Sequence, residues 1–207
     1  METSPVSTMH MSTTHFVIQP EAILAHLMTR SSMGIKYLAD PGPNDLQLRQ
    51  IAQIALRAPD HGELIPFRLS VVQGDARERL ADLFETYARA NGKNDEACAI
   101  ERERALRAPM SIAIISKVSG RHLVPEHEQW ACIGGAVTNI LNAIHFMGFA
   151  GKMLSGDKVR DPLIIDAFCE TDETLLGWIS IGTPTKPLST CPVSYTHLRA
   201  HETGRNL

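Results

Sequence analysis

Apolar positions recur at helical spacing through the first third of the chain. In PEAILAHLMTR, which begins at Pro20, residues Ile23, Leu24 and Leu27 share one face, and this spacing predicts an amphipathic helix. The run LADPGPND reads as a turn. Asn44 or Asp45 then caps a second helix, LQLRQIAQIALR, with Leu48, Ile51, Ile54 and Ala55 at three- and four-residue intervals, and Pro59 ends it. Phe67 to Val72 is a short β-prone run closed by Gly74. A long amphipathic helix follows from Asp75 to about Ala90, apolar at Leu80, Leu83, Phe84 and Tyr87. NGKND breaks it, and a charged helix runs on to Arg107 before Pro109.

The second half alternates strands with helices. Met110 to Val118 (MSIAIISKV) has the continuous apolar character of a strand buried on both faces. Trp130 to Gly151 carries no Asp, Glu, Lys or Arg over about twenty residues, the length of a membrane span. Thr138, Asn139, Asn142 and His145, with Gly134, Gly135 and Gly148, dilute it, so a helix buried in a core or at a subunit interface is the better reading. Ile133, Val137, Ile140 and Ile144 form one stripe. Ala131, Gly135, Asn139 and Asn142 form another, small enough to admit a second helix closely. Phe149–Leu154 reads as a strand, Asp161–Phe168 as a short helix and Leu175–Ile181 as a last strand before GTPTKP. This order predicts an α+β architecture, a sheet layered with helices. The pentapeptide ALRAP at Ala55 and again at Ala105 marks two helix ends, not a repeat.

Composition adds exclusions. A chain of 207 residues suits one sizeable core. With 43% hydrophobic and 21% charged residues and a net charge of -3, it lacks the basic footprint of a nucleic-acid binder. Cys98, Cys132, Cys169 and Cys191 form no C-x-x-C pair, which reads as reduced thiols in a cytoplasmic protein. His122 and His127 flank Pro125 without the H-E-x-x-H spacing, so no metal is expected. The first residues, METSPVSTMHMSTTHF, lack the basic start and apolar centre of a secretory signal. Residues 1–19 are expected to be a flexible extension and 20–188 a single domain.

Four stretches could carry chemistry. In TRSS, Arg30, Ser31 and Ser32 end the first helix. As a bare helix end they are a favourable cation and a loop start, but a guanidinium with two hydroxyls is also a compact phosphate-binding set. RAPDH places Arg57, Asp60 and His61 around a proline-fixed turn, where binding groups tend to sit. VPEHEQW leads into the uncharged helix. GFAGKMLSG, from Gly148 to Gly156, has three glycines beside Met153 and Leu154, which would let backbone approach a flat ligand. There is no G-x-G-x-x-G and no Walker sequence, so neither a Rossmann nor a P-loop site is supported.

Read together from about Ala22 to Pro187, RAPDH with Pro66, VPEHEQ, GFAGKMLSG and IGTP resemble the nitroreductase family, and more closely its short bacterial NAD(P)H nitroreductase branch. The resemblance implies a mixed, mainly antiparallel sheet flanked by helices, and a homodimer with a long buried interface helix. It implies FMN as cofactor, NAD(P)H as electron donor and a small-molecule acceptor (nitroaromatic, quinone or similar) reduced by a ping-pong mechanism. Arg30, Ser31 and Ser32 match the element holding the FMN phosphate and ribityl chain. Arg57 and His61 match positions facing FMN from the partner subunit, and Met153, Leu154 and Ser155 match the segment along the isoalloxazine. No protein side chain is implied as nucleophile, because the flavin carries the chemistry. Thr29 stands where the family has a first Arg, and Phe67 and Met153 where the branch has Trp. Enone reduction, dehalogenation or an inactive dimeric binding protein remain alternatives on the same scaffold. After Thr190 the expected proline-rich arm is replaced by CPVSYTHLRAHETGRNL, and residues 189–207 are read as an atypical tail not native to the fold.

Overall fold

The computed structural model describes residues 19–120 and 123–188. The stretch 1–18, Arg121 and His122, and the tail 189–207 with Cys191 lie outside the described residues. In chain order the elements are α1 (Pro20–Thr29), β1 (Leu38–Ala39), α2 (Asp45–Ala55), β2 (Phe67–Val72), α3 (Asp75–Ala90), α4 (Asp95–Leu106), β3 (Met110–Ser116), α5 (Glu126–Phe146), β4 (Ala150–Leu154), α6 (Pro162–Phe168) and β5 (Thr174–Pro184). Short 3-10 turns occupy Ile35–Tyr37 and Asp157–Arg160.

Local chemistry sets many of these boundaries. Asn44 caps α2 by accepting from the Gln47 N–H at 2.9 Å, while the Gln47 side chain accepts from the Asn44 N–H, a reciprocal box that satisfies two end donors. Asn94 caps α4 through the Ala97 N–H, and Asp161 caps α6 through the Leu163 N–H. Both ALRAP segments end helices, α2 at Ala55 and α4 at Leu106.

β5 is the centre of the sheet. It pairs antiparallel with β3, β4 and, at Thr183 and Pro184, β1, and β3 carries β2 on its other edge. β1 falls in the run read as a turn, and β5 extends beyond Ile181 because Thr183 and Pro184 pair with Ala39 and Leu38. The alternation along β3 explains its complete burial. Ile112 and Ile114 join Ile179 and Ile181 against α2 and α5, while Ala113 and Ile115 join Leu175 and Trp178 against α3 and α6. Helices therefore cover both faces of the sheet, the α+β arrangement expected.

Two helices matter for the site. In α5, Ile133, Ile140 and Ile144 lie on the sheet. The small stripe meets α2: Gly135 lies against Ala58, where an added Cβ would come within 3.2 Å, and the Asn139 side-chain amide donates to the Ile54 carbonyl at 3.2 Å. Its remaining face, with Trp130, Gly134, Thr138 and Phe146, is exposed. No helix among the described residues is long and apolar enough to cross a membrane. α1 buries no residue: Ile23, Leu24, Leu27 and Met28 stay 37%, 57%, 41% and 76% exposed.

Candidate functional site

The end of α1 is tied to the end of α5. The His145 ring Nε2 lies 3.0 Å from the His26 carbonyl and 3.2 Å from Thr29 Oγ1. Burial pushes the His145 imidazole below its ordinary value, and the charges of His26 and Arg30 push the same way against the bond to the His26 carbonyl. Beyond Arg30 the chain is extended, and the Met33 N–H donates to the Gly151 carbonyl at 3.2 Å. Arg30, Ser31 and Ser32 thus run beside β4, so the TRSS and GFAGKMLSG stretches are neighbours. Arg30 is half-buried and has no carboxylate partner among the described residues. The Ser31 hydroxyl is buried and has no hydrogen-bond partner among the described residues.

Glycine seats β4 against β5. Gly177 has φ +146°, and a Cβ there would fall on the Leu154 carbonyl and within 2.9 Å of Met153 Cε. Along β4 the side chains alternate: Met153 packs with the α5-side cluster, while Lys152 and Leu154 border a cavity on the α3–α4 side. The Met153–Leu154–Ser155 segment therefore touches both layers.

That cavity, about 430 Å³, was not legible in the sequence. It lies under Gly34–Lys36, with Phe84 and Trp178 in its wall, and Leu154 and Ser155 at its border. Lys36, Arg104, Arg107, Lys152 and Lys158 line it, and no carboxylate among the described residues does. The indole Nε1 of Trp178 is buried without a partner among the described residues. Behind this lining sits Glu101, 3% exposed, which accepts from Lys93 at 2.8 Å, Arg104 at 2.7 Å and Lys158 at 2.6 Å. Burial pushes its carboxyl up, but the hydrogen bonds from Lys158 and Lys93 and the charges of Lys158 and Arg104 outweigh this and hold it at about 2. The sequence signal that could have pointed to it is Arg104 and Arg107, three apart at the end of α4.

RAPDH forms a second centre. Arg57 follows the last turn of α2, and with Asp60, Glu63, Ile65, Phe67 and Cys132 it lines a cavity of about 410 Å³. His61 Nδ1 donates to Glu128 in the first turn of α5 at 2.7 Å. Burial, and then the charge of Asp60, push the Cys132 thiol up, so it is no ready nucleophile. Glu128 and His145 lie on the same helix, about 25 Å apart at about 1.5 Å per residue. Within one chain, His61 and the Arg30–Ser32 segment therefore sit toward opposite ends of α5.

The Nitroreductase family profile matches residues 27–183, a span holding both centres. The Escherichia coli (strain K12) protein named "Putative NAD(P)H nitroreductase YdjA" is 35% identical over 154 residues, 74% of this chain and 84% of its own. A Haemophilus influenzae protein named "Putative NAD(P)H nitroreductase" is 32% identical over 162 residues, 77% of this chain and 87% of its own. Among solved structures, a nitroreductase-like family protein from Bacillus cereus superposes with a TM-score of 0.73 at 21% identity, covering 87% of this chain and 96% of that one. A Desulfovibrio desulfuricans protein solved with FMN gives 0.64 at 18% identity, over 84% and 92%. The two structures share the fold. Taken with the profile and the two sequence relatives, the helix-covered antiparallel sheet with its two centres belongs to a member of the nitroreductase family.

Proposed function

We propose that the protein is an FMN-dependent oxidoreductase that acts as a homodimer and passes electrons from NAD(P)H to a nitroaromatic, quinone or similar acceptor in ping-pong order. The observation that carries this reading is the pair formed by Arg30 and Ser31. Among the described residues, the half-buried Arg30 guanidinium has no carboxylate partner and the buried Ser31 hydroxyl no hydrogen-bond partner, on consecutive residues of the segment that leads to β4. Buried polar groups are otherwise almost always hydrogen-bonded, and an Arg guanidinium without a carboxylate is suited to pair with a phosphate. The donor set thus fits FMN.

When bound, FMN would supply the two-electron chemistry, taking hydride from the nicotinamide and delivering electrons to the acceptor. Arg30, Ser31 and Ser32 would hold its phosphate and ribityl chain. Met153, Leu154 and Ser155 would lie along the ring, beside the cationic cavity. Arg104 and Lys158, already fixed by Glu101, would place positive charge there without reorganising, the preorganised kind of stabilisation.

A second copy answers two features at once. The exposed apolar face of α1 and the uncharged outer face of α5 form a continuous candidate interface, since His26 and Phe146 pack ring to ring at 5.2 Å. An antiparallel arrangement of two α5 helices would bring one protomer's Arg57 and His61 to the other's Arg30. The buried thiols Cys98 and Cys132 suit a reducing, cytoplasmic setting. The names of the relatives support NAD(P)H as donor.

The test is the visible spectrum of the purified protein with FMN, before and after anaerobic addition of NADPH and then NADH. Bound flavin bands that bleach with either nucleotide are expected. No bound flavin in FMN excess refutes the proposal.

A further inference from the structure

We propose that Glu128 is a positioning residue: it fixes the His61 ring with Nδ1 as donor, leaving Nε2 as the atom offered to the ligand. This rests on the reading that His61 faces FMN bound mainly by the other protomer. It also gives a role to VPEHEQW, which the cofactor assignment leaves idle.

A carboxylate can only accept, so the 2.7 Å contact requires the proton on Nδ1. An imidazole held in this way presents one defined atom outward, as when a neighbouring group sets which ring nitrogen is free. Taken alone the pair is an exposed hydrogen bond of small worth, its side chains 67% and 39% exposed, and an acid in the first turn of α5 also suits the helix end. Neither explains the construction around it.

The loop carrying His61 is fixed from two sides. From within, Asp60 Oδ2 accepts from the Ile65 N–H at 2.7 Å, across a bend that holds Gly62, Glu63 and Ile65 at φ +79°, +52° and +47°. A β-branched residue is rarely left-handed, and such backbone persists where its surroundings over-determine it, most often beside a ligand. From outside, Gly62 lies on Val124, whose Cγ2 would be 3.4 Å from an added Cβ. Val124 is held in turn by Gln129, 3% exposed, which donates to the Val124 carbonyl at 2.8 Å and the Ser119 carbonyl at 3.0 Å and accepts from the Ser119 N–H at 3.0 Å. The motif thus supports the loop with Val124, locks itself with Gln129 and orients the ring with Glu128. Three tasks fall on one loop whose only aromatic ring is His61.

The experiment is a cycle on the full-length chain: FMN affinity of the parent, His61→Ala, Glu128→Gln and the double variant, read by flavin fluorescence titration. ¹⁵N NMR of the imidazole is recorded without FMN. We expect His61→Ala to weaken FMN about tenfold and Glu128→Gln three- to tenfold, with the double variant no worse than His61→Ala. Glu128→Gln should also move the neutral His61 ring toward the Nε2–H tautomer. A Glu128→Gln protein that keeps parental affinity while His61→Ala loses it overturns the inference alone. So does a Glu128→Gln loss that persists undiminished in the His61→Ala background, the mark of a merely structural role. His61→Ala with parental affinity overturns the inference through its premise, and the NMR then still reports whether the two side chains are coupled.

Discussion

Replacing Glu101 by Gln isolates the charge at the centre of the Lys93–Arg104–Lys158 cluster. The carboxyl is held at about 2 against an ordinary 4.5, which at about 1.36 kcal/mol per pH unit amounts to about 3 kcal/mol of folding stability at neutral pH. The same order follows independently from breaking a buried ion pair by removing one partner. Gln keeps the size and one acceptor but turns an N–H₂ toward the ammonium groups, so the cations tying α4 to the turns at Lys93 and Lys158 lose their common anchor. Because the folded carboxyl titrates below the unfolded one, its contribution is complete above pH about 4.5 and is lost as pH falls toward 2. Urea denaturation of parent and Glu101→Gln at pH 7, 4.5, 3 and 2 should therefore show a gap of about 3 kcal/mol at pH 7 that narrows through the last three points. In Tm the neutral-pH gap is roughly 6–12 °C for a chain of this size. A gap below about 1 kcal/mol at pH 7, or one that does not close toward pH 2, would refute the reasoning. Glu173, also held at about 2, chiefly by the hydrogen bond from Arg68, titrates in both proteins and cancels in the difference.

Arg30→Ala removes a charge-assisted contact to phosphate worth about 1.5–3 kcal/mol, so the FMN Kd should rise roughly ten- to hundred-fold, read by equilibrium dialysis; unchanged affinity would sink the phosphate assignment. Gly177→Ala forces a Cβ onto the Leu154 carbonyl from a left-handed backbone. It should cost at least about 1–3 kcal/mol in thermal unfolding and shift the Leu154–Ser155 amide signals. Leu24→Asp puts a charge on the exposed apolar face of α1, and sedimentation velocity should show more monomer than in the parent at equal concentration. If the parent is itself a monomer, the shared-site arrangement is wrong.

The helices and the buried strand β3 were legible in the sequence because their signals are local. A cap such as Asn44 with Gln47, a proline stop and the unbroken apolar run of Met110–Ser116 each specify backbone within a few residues. The four chemical stretches point to a site only when read together, because each alone reads equally as a helix end or a turn. Tertiary structure alone decided the rest, because pairing and burial depend on residues distant in sequence. Only the pairing of β5 turns Leu38–Ala39 into a strand, and only the opposite-facing side chains of β4 divide Met153 from Leu154. Glu101 looks like one more acid on a charged helix until the turns bearing Lys93 and Lys158 fold onto it. About 25 Å of α5, from Glu128 to His145, separates the end that holds His61 from the end beside Arg30 in one chain. Periodicity records which face of an element is apolar; what that face meets is set by the packing of all the others.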